Sequence, residues 1–245
     1  MCSLNGGMLI LLRESCLLAN VIISFGVPLG ALFILKRRFG GKMLFFSVGM
    51  LTFIVSQILI RIPIISYVLP QFTWYAVMQT NPWLYGIFLG LTASVFEEVG
   101  RLIALKSVSN RNNGLIEGIS FGFGHGGIEA MLLVGLNSLV LMVLYPIGTI
   151  DLSSQSATMI LLGGLERVLA MIFHIGASLI VLYGIRVQKQ VRFTTYAVLL
   201  HLLLDSMIVI LPAVFGAGIL QLEAYLAVMA IFTLIFGIKL YSMED

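Results

Sequence analysis

Long apolar stretches alternate with short polar segments along almost the whole chain. A helix that spans the hydrocarbon core of a bilayer needs about 20 mostly apolar residues. Seven stretches meet this requirement, at residues 14–35, 43–62, 83–105, 115–145, 157–185, 193–211 and 223–241. The pattern therefore predicts an all-α, polytopic bundle of about seven transmembrane helices, forming a single transmembrane domain over residues 1–245.

The composition agrees with a membrane protein. Hydrophobic residues make up 60% of the chain, charged residues 10%, and the mean hydropathy is +1.08. A soluble domain has about a quarter of its residues charged. We therefore expect a multi-pass protein of the cell membrane, surrounded by the lipid bilayer. The net charge of only +3 argues against a nucleic-acid partner. Cys2 and Cys16 show neither metal-binding spacing nor a disulfide framework.

The loops between the predicted helices differ in charge. Lys and Arg are concentrated in three loops, at residues 36–42, 106–114 and 186–192. The alternate loops, at residues 70–81, 146–156 and 212–222, contain no Lys or Arg. Because basic loops stay on the cytoplasmic side, the pattern predicts an N-terminus outside and a C-terminus in the cytoplasm.

Ten charged residues and histidines fall inside the predicted helices and away from their ends. They are Glu97, Glu98, Arg101, His125, Glu129, Glu166, Arg167, His174, His201 and Asp205. A charged side chain at the bilayer centre costs at least about 2.5–3.5 kcal/mol. One buried Glu–Arg pair would be explained as a structural lock between two helices. Many such groups on four helices instead indicate that they face one another or a water-filled cavity.

The spacing of these residues gives each helix one polar face. Pairs four residues apart lie on the same face of a helix. Such pairs are Glu97 with Arg101, His125 with Glu129, and His201 with Asp205, while Arg167 and His174 are seven apart. Counted along the helices, most of these groups reach one level, toward the cytoplasmic half of the membrane. Glu166 lies nearer the outer end and fits this cluster less well.

Glycines recur on the fourth predicted helix, next to its polar face. Gly118, Gly122 and Gly126 are each four residues apart. Small residues at this spacing allow the backbone of a neighbouring helix to approach closely. The stripe therefore predicts tight helix packing beside His125.

Several known catalytic motifs are missing from the sequence. It contains no H-E-x-x-H zinc motif, no paired G-x-G-D motifs and no P-loop. Residues 118–122, "GISFG", match G-x-S-x-G, but that motif functions on a strand-to-helix turn and here lies in a predicted helix. A Ser120–His201 dyad is one alternative that the sequence leaves open.

The chemistry that is present suits the hydrolysis of an amide bond. A buried Glu can act as a general base toward water, and His can donate a hydrogen bond to a developing oxyanion. Neutral His together with carboxylates can also bind a divalent metal such as zinc, which activates water. The candidate ligands for such a metal are Glu97, His125, His201 and Asp205.

Three short motifs bear a family resemblance. "EEVGR", "FGFGH" and "HLLLD" resemble the E-E-x(2–3)-R, F-x-x-x-H and H-x-x-x-N/D motifs of the CAAX-protease and bacteriocin-processing membrane proteases. Their order over residues 83–211 most closely resembles the YhfC-type intramembrane metalloproteases, relatives of that clan along with PrsW. Each motif alone is weak, and their combination is more specific.

The resemblance implies that the catalytic helices lie within residues 83–211. It implies that Glu97 is the base that activates a water molecule. Glu98 and Arg101 would support Glu97, and His125 would orient the same water.

The resemblance also implies that His201 and Asp205 stabilise the oxyanion, but the chain departs from the family pattern here. Asp205 stands where an Asn is expected, and a carboxylate donates a hydrogen bond only when protonated. Asp205 would then orient His201 or bind a metal. A second departure concerns Arg101, which follows Glu98 after two residues instead of the three in prenyl-protein proteases. This rotates Arg101 by about 100° around the helix.

These observations predict an intramembrane endopeptidase that cuts a peptide or membrane-protein substrate near the cytoplasmic side. Glu129, Arg167 and His174 would support its active site. Two alternatives come from other functional classes. A proton- or ion-coupled transporter would show discontinuous helices, repeat symmetry and a site open alternately to both sides. A non-catalytic membrane scaffold would tolerate the replacement of Glu97 by Gln. The sequence specifies neither the substrate nor the oligomeric state.

Overall fold

The computed structural model describes residues 2–39, 43–110, 114–152 and 154–242, with side chains from residue 7 onward. Regular structure in these residues is entirely helical, which confirms the all-α prediction. We number eight helical segments. They are α1 (Cys2–Val21, the π-helical turn Ile22–Gly26, and Val27–Phe39), α2 (Met43–Phe53, the π-helical stretches Ile54–Arg61 and Ile64–Val68, and the 3₁₀ turn Leu69–Gln71), α3 (Thr73–Gln79), α4 (Pro82–Val108), α5 (Leu115–Ala130, the π-helical turn Met131–Gly135, and Leu136–Leu144), α6 (Ala157–Arg186), α7 (Gln190–Phe215) and α8 (Ile219–Ser242).

Six of these segments, among the described residues, are long and apolar enough to cross a membrane. They are α1 from Gly7, α2, α5, α6, α7 and α8. The third predicted span corresponds to α4, which has 27 residues and is therefore roughly 40 Å long. It contains Glu97, Glu98, Arg101 and Lys106, so its composition differs from that of the other six. The prediction of about seven spans is thus close to the observed architecture.

Local sequence explains where the helices around the candidate site begin and end. The Asn81 side chain precedes Pro82 and accepts hydrogen bonds from the backbone N–H groups of Trp83 (3.0 Å) and Leu84 (3.2 Å), which caps α4. Ser156 caps α6 in the same way. At the other end of α7, Gly216 adopts a left-handed conformation with φ of +67°, which suits glycine and terminates the helix.

The glycine stripe of α5 packs against α6, as predicted. A Cβ atom added to Gly122 would lie 2.4 Å from Ile175 Cα, and one added to Gly126 would lie 2.9 Å from Met171 Cα. Gly124 faces the opposite direction, where an added Cβ would lie 2.0 Å from the carbonyl oxygen of Phe46 on α2. Helix α5 is therefore held closely between α2 and α6, and His125 lies on its buried face.

Most of the described basic residues lie near one end of the bundle, which we call the basic end. All described Lys residues lie there, and so do all described Arg residues except Arg13, Arg61, Arg101 and Arg167. This is where α1, α4, α6 and α8 finish and where α2, α5 and α7 begin. Large apolar side chains fill the interior of this half of the bundle. Among them are Phe45, Leu105, Phe121, Leu179, Phe193 and Tyr241. Glu97, His174 and His201 lie farther from the basic end along their helices than the residues of this packed layer.

Candidate active site

Glu97 lies at the centre of a buried polar cluster and faces three imidazoles from three other helices. Its Oε2 atom is 2.9 Å from His125 Nε2 on α5 and 3.9 Å from His174 Nε2 on α6. Its Oε1 atom is 4.0 Å from His201 Nε2 on α7 and accepts a hydrogen bond from the Gln57 amide on α2. Glu97 is 4% exposed. Five helices therefore meet at this one carboxylate.

Glu98 points in a different direction and is held by Arg101. Adjacent residues on a helix point about 100° apart. Arg101 Nε donates to Glu98 Oε2 (2.8 Å) and Arg101 Nη2 donates to Glu98 Oε1 (3.2 Å). His201 Nδ1 also lies 2.9 Å from Glu98 Oε1. Both side chains of the ion pair are 0% exposed. The spacing of two residues between Glu98 and Arg101 thus directs the guanidinium to Glu98 and leaves Glu97 to the histidines.

The hydrogen bonds of His174 define its tautomer. Arg101 Nη2 lies 3.0 Å from His174 Nδ1, and a guanidinium can only donate. His174 Nδ1 is therefore the acceptor, and the proton of the neutral ring is on Nε2. That nitrogen is 2.8 Å from Glu129 Oε2 and donates to it. Arg101 and Glu129 thus fix the imidazole from both sides.

Glu129 connects the cluster to its outer part. Arg167 Nη1 donates to Glu129 Oε1 (2.6 Å), and Arg167 Nη2 donates to Glu166. Glu166, which we expected to fit the cluster less well, is attached to it through Arg167. Its side chain is 38% exposed, so it lies at the edge of the cluster.

One ring nitrogen of His201 contacts Glu98, and the other ring nitrogen faces a cavity. Because Arg101 keeps Glu98 as an acceptor, His201 Nδ1 donates to Glu98 and His201 Nε2 faces Glu97 and Asp205. Asp205 Oδ2 lies 3.5 Å from His201 Nε2, and the Asp205 side chain is 29% exposed. The two residues therefore act as neighbours on one face of α7, as their spacing predicts.

A cavity of about 80 Å³ lies among these groups. Glu97, His174, His201 and Asp205 line its polar wall. Apolar side chains complete the wall: Phe173, Leu204, Ile208 and Leu226. A cavity of this size holds several water molecules and is too small for a peptide.

Three of the buried residues have the geometry of metal ligands. In the described part of the chain, Glu97, His125 and His174 each offer a ligand atom within 4.8 Å of the others. His125 Nε2 faces Glu97 Oε2 at 2.9 Å and would be the ligating nitrogen of that ring, while His125 Nδ1 is buried without a hydrogen-bond partner. Two imidazoles and one carboxylate are also a ligand set used by catalytic zinc. Because His174 Nε2 carries a proton here and Nδ1 accepts from Arg101, neutral His174 could ligate through Nε2 only if its proton moved to Nδ1 and Arg101 turned away from that nitrogen.

This group differs from the ligand set expected from the sequence. His174, expected only to support the site, belongs to the group, whereas His201 and Asp205 lie beside it. His174 and His125 were both visible as histidines in apolar helices. Their distance from each other depends on how α5 and α6 are rotated, which the sequence pattern does not define.

Sequence reasoning missed the polar residues of α2. Arg61 Nη1 donates to Gln57 Oε1 (3.0 Å), and Arg61 also donates to the carbonyl of Leu89 (2.9 Å) and to Thr92 Oγ1 (3.1 Å). These bonds orient the Gln57 amide so that its N–H group faces Glu97. The available signal was Gln57 and Arg61 themselves, two polar residues four apart in an apolar span.

The alternative Ser120–His201 dyad is not formed. The Ser120 hydroxyl donates to the carbonyl of Ile116 in its own helix (2.7 Å). Both nitrogens of His201 face carboxylates.

Comparison with known proteins identifies relatives over most of the chain. The family model described as YhfC intramembrane metalloprotease matches residues 23–151 and 146–232. A protein of Bacillus subtilis (strain 168), described as "Uncharacterized membrane protein YhfC", is 33% identical over 242 residues, which cover 89% of this chain and 90% of that protein. No solved structure matches the chain.

Proposed function

Because the chain belongs to the YhfC intramembrane metalloprotease family, we propose that it is an endopeptidase that hydrolyses a peptide bond within the membrane at Glu97. Its substrate is a peptide or a segment of a membrane protein. The observation that carries this proposal is the meeting of the Glu97 carboxylate with three imidazoles beside a polar cavity. A purely structural ion pair would need neither the histidines nor the cavity.

Glu97 has the position of a general base. Its Oε2 atom is held by His125, and the Gln57 amide holds Oε1, so the carboxylate has a fixed direction toward the cavity. A fixed carboxylate can orient a water molecule, take its proton as the water attacks a carbonyl carbon, and return that proton to the leaving amine as the C–N bond breaks. General base catalysis contributes typically about 10²–10⁴-fold to a rate.

His201 has the position of the oxyanion donor. Its Nδ1 atom donates to Glu98, so Nε2 carries a proton only in the charged imidazolium, and that proton points into the cavity between Glu97 and Asp205. An N–H group held in this way can stabilise the negative charge that develops on the carbonyl oxygen.

The family also implies a metal, and the residues present fit one. Glu97, His125 and His174 would hold the ion. A divalent metal would supply Lewis-acid polarisation of the peptide carbonyl. Arg101 and Glu129 hold both nitrogens of His174, so His174 would bind the ion through Nε2 only in the tautomer that carries its proton on Nδ1. In this version Glu97 is a ligand instead of a free base.

The test is a search for new protein N-termini in membranes. Cells that produce the wild-type protein are compared with cells that produce Glu97→Gln, and N-terminal peptides are identified by mass spectrometry. We expect a set of termini that is present with the wild type and missing with the variant. Glu14→Gln, which makes the same change on α1 outside the cluster, should resemble the wild type. Identical termini in all three samples would contradict the proposal and favour a transporter or a scaffold.

A further inference from the structure

The active-site cavity is closed toward the basic end of the bundle. Between the cluster and that end lie Arg101 and the apolar layer that includes Phe121, Leu105 and Leu179, all of them 0% exposed. Gly118 and Gly122 bring α5 and α6 into backbone contact at the same level. Among the described residues, none of the side chains of this apolar layer lines the cavity beside Glu97.

The cavity extends from Glu97 toward the opposite end of the bundle. On α6, α7 and α8, the lining residues farthest from the basic end are Glu166, Ile208 and Leu226, respectively. Ile208 lies seven residues before the end of α7, and Leu226 lies seven residues after the start of α8. At the helical rise this is roughly 10 Å from the helix ends opposite the basic end.

The exposed fraction of the polar side chains increases in the same direction, away from the basic end. Glu98, Arg101 and His125 are fully buried, whereas Asp205 and Glu166 are partly exposed. A carboxylate exposed to hydrocarbon is costly, so water must reach these two side chains. Water can do so only from the end where the cavity is not packed.

We propose that water and substrate reach Glu97 through a crevice between α6, α7 and α8 that opens on the membrane face opposite the basic loops. The positive-inside rule assigns the basic loops to the cytoplasm, so the crevice faces the outside of the cell. That the crevice admits a substrate in addition to water rests on the proposed function. The position of the crevice gives that substrate a class: a peptide bond presented from the outer half of the membrane or from the outer surface. It also replaces the sequence-based expectation of cleavage near the cytoplasmic side.

The cavity must widen to admit a peptide. At about 80 Å³ it accommodates water alone. Its walls on α7 and α8 are apolar, and near them the Tyr225 hydroxyl donates to the carbonyl of Leu203 (2.9 Å) and links the two helices. We therefore place the opening movement between α7 and α8, which supply apolar lining residues of the cavity and are linked by this hydrogen bond.

The test measures water access and needs no protease activity. Ile208→Cys and Leu226→Cys are introduced separately into a Cys2→Ser, Cys16→Ser background. Vesicles of each orientation are treated with a small, membrane-impermeant thiosulfonate, and modification is quantified by mass. Two controls have exposed side chains on the same helices: Val228→Cys lies two residues from Leu226, and Leu203→Cys lies five residues from Ile208.

Two loop cysteines report the sides of the membrane. Thr149→Cys lies in a loop opposite the basic end, and Lys189→Cys lies at the basic end. We expect the crevice cysteines to react only from the side that modifies Thr149→Cys, and at least tenfold faster than the lipid-facing controls. Reaction from the side that modifies Lys189→Cys, or from neither side, would overturn the proposal. Reaction from both sides would also overturn it and would indicate alternating access. All of these outcomes are independent of whether Glu97 hydrolyses peptides.

Discussion

Replacement of Arg101 by Ala tests how the cluster is held together. Arg101 is fully buried and makes every one of its contacts inside the bundle. It donates to both oxygens of Glu98, to Ser178 Oγ (2.5 Å), to the carbonyl of His174 (3.3 Å) and to His174 Nδ1. Alanine removes all of these donors and leaves the Glu98 carboxylate buried with only His201 as a partner.

The magnitude follows from the loss of a buried ion pair. Removal of one partner of such a pair costs about 3–5 kcal/mol, since the other charge stays buried. We expect the upper part of this range, because Ser178 and His174 lose a donor as well. For a chain of this size, such a loss lowers the midpoint of thermal unfolding by roughly 6–20 °C. Activity should fall too, because His174 and Glu98 lose their fixed orientation.

The measurement is thermal unfolding of the purified variants in one detergent. Arg192→Ala is the matched control, because Arg192 is exposed and contacts only Tyr196 of its own helix among the contacts observed. It should change the free energy of unfolding by less than about 1 kcal/mol. Arg101→Lys keeps the charge and loses the paired hydrogen bonds, so it should fall between the two. An Arg101→Ala protein that unfolds like the wild type would refute the placement of Arg101 on Glu98.

Two further predictions concern the metal and the helix packing. His125→Ala should lower the content of bound divalent metal, measured by mass spectrometry of the purified protein, at least tenfold relative to the wild type; equal metal content would exclude His125 as a ligand. Gly122→Ala should destabilise the protein by about 1–3 kcal/mol, because the new methyl group meets the α6 backbone at Ile175 at 2.4 Å. Gly30→Ala, where an added Cβ meets nothing within 4 Å, should be neutral, and equal unfolding midpoints for the two variants would contradict the close packing of α5 on α6.

The fold could be predicted because the bilayer imposes a simple rule. Helix lengths and positions follow from stretches of about 20 apolar residues, and the glycines at every fourth position of α5 indicated a close neighbour. The family prediction is confirmed as well. The order and spacing of the motifs indicated the family, although no single motif is specific. The charged composition of α4 explains why six of the described helices, and not seven, are apolar enough to cross a membrane.

The contents of the site could be predicted, but the pairing of its side chains could not. The cost of buried charge indicated that Glu97, His125 and His201 would meet. Which residue contacts which depends on the rotation of each helix about its axis, and helices that are apolar on most sides define this rotation poorly. For this reason the place of His174 between Arg101 and Glu129 was not foreseen. The roles of these residues in catalysis stay predictions.

The central claim is that the Glu97 carboxylate performs the chemistry. The most direct measurement compares single-turnover cleavage of one substrate peptide, selected from the new termini described above, by purified wild type, Glu97→Gln and Glu98→Gln. We predict that Glu97→Gln unfolds at the wild-type temperature and cleaves at least 10²-fold more slowly. Glu98→Gln should lose stability first, because Glu98 pairs with Arg101 in the core. A Glu97→Gln protein that cleaves the peptide at the wild-type rate would contradict the account.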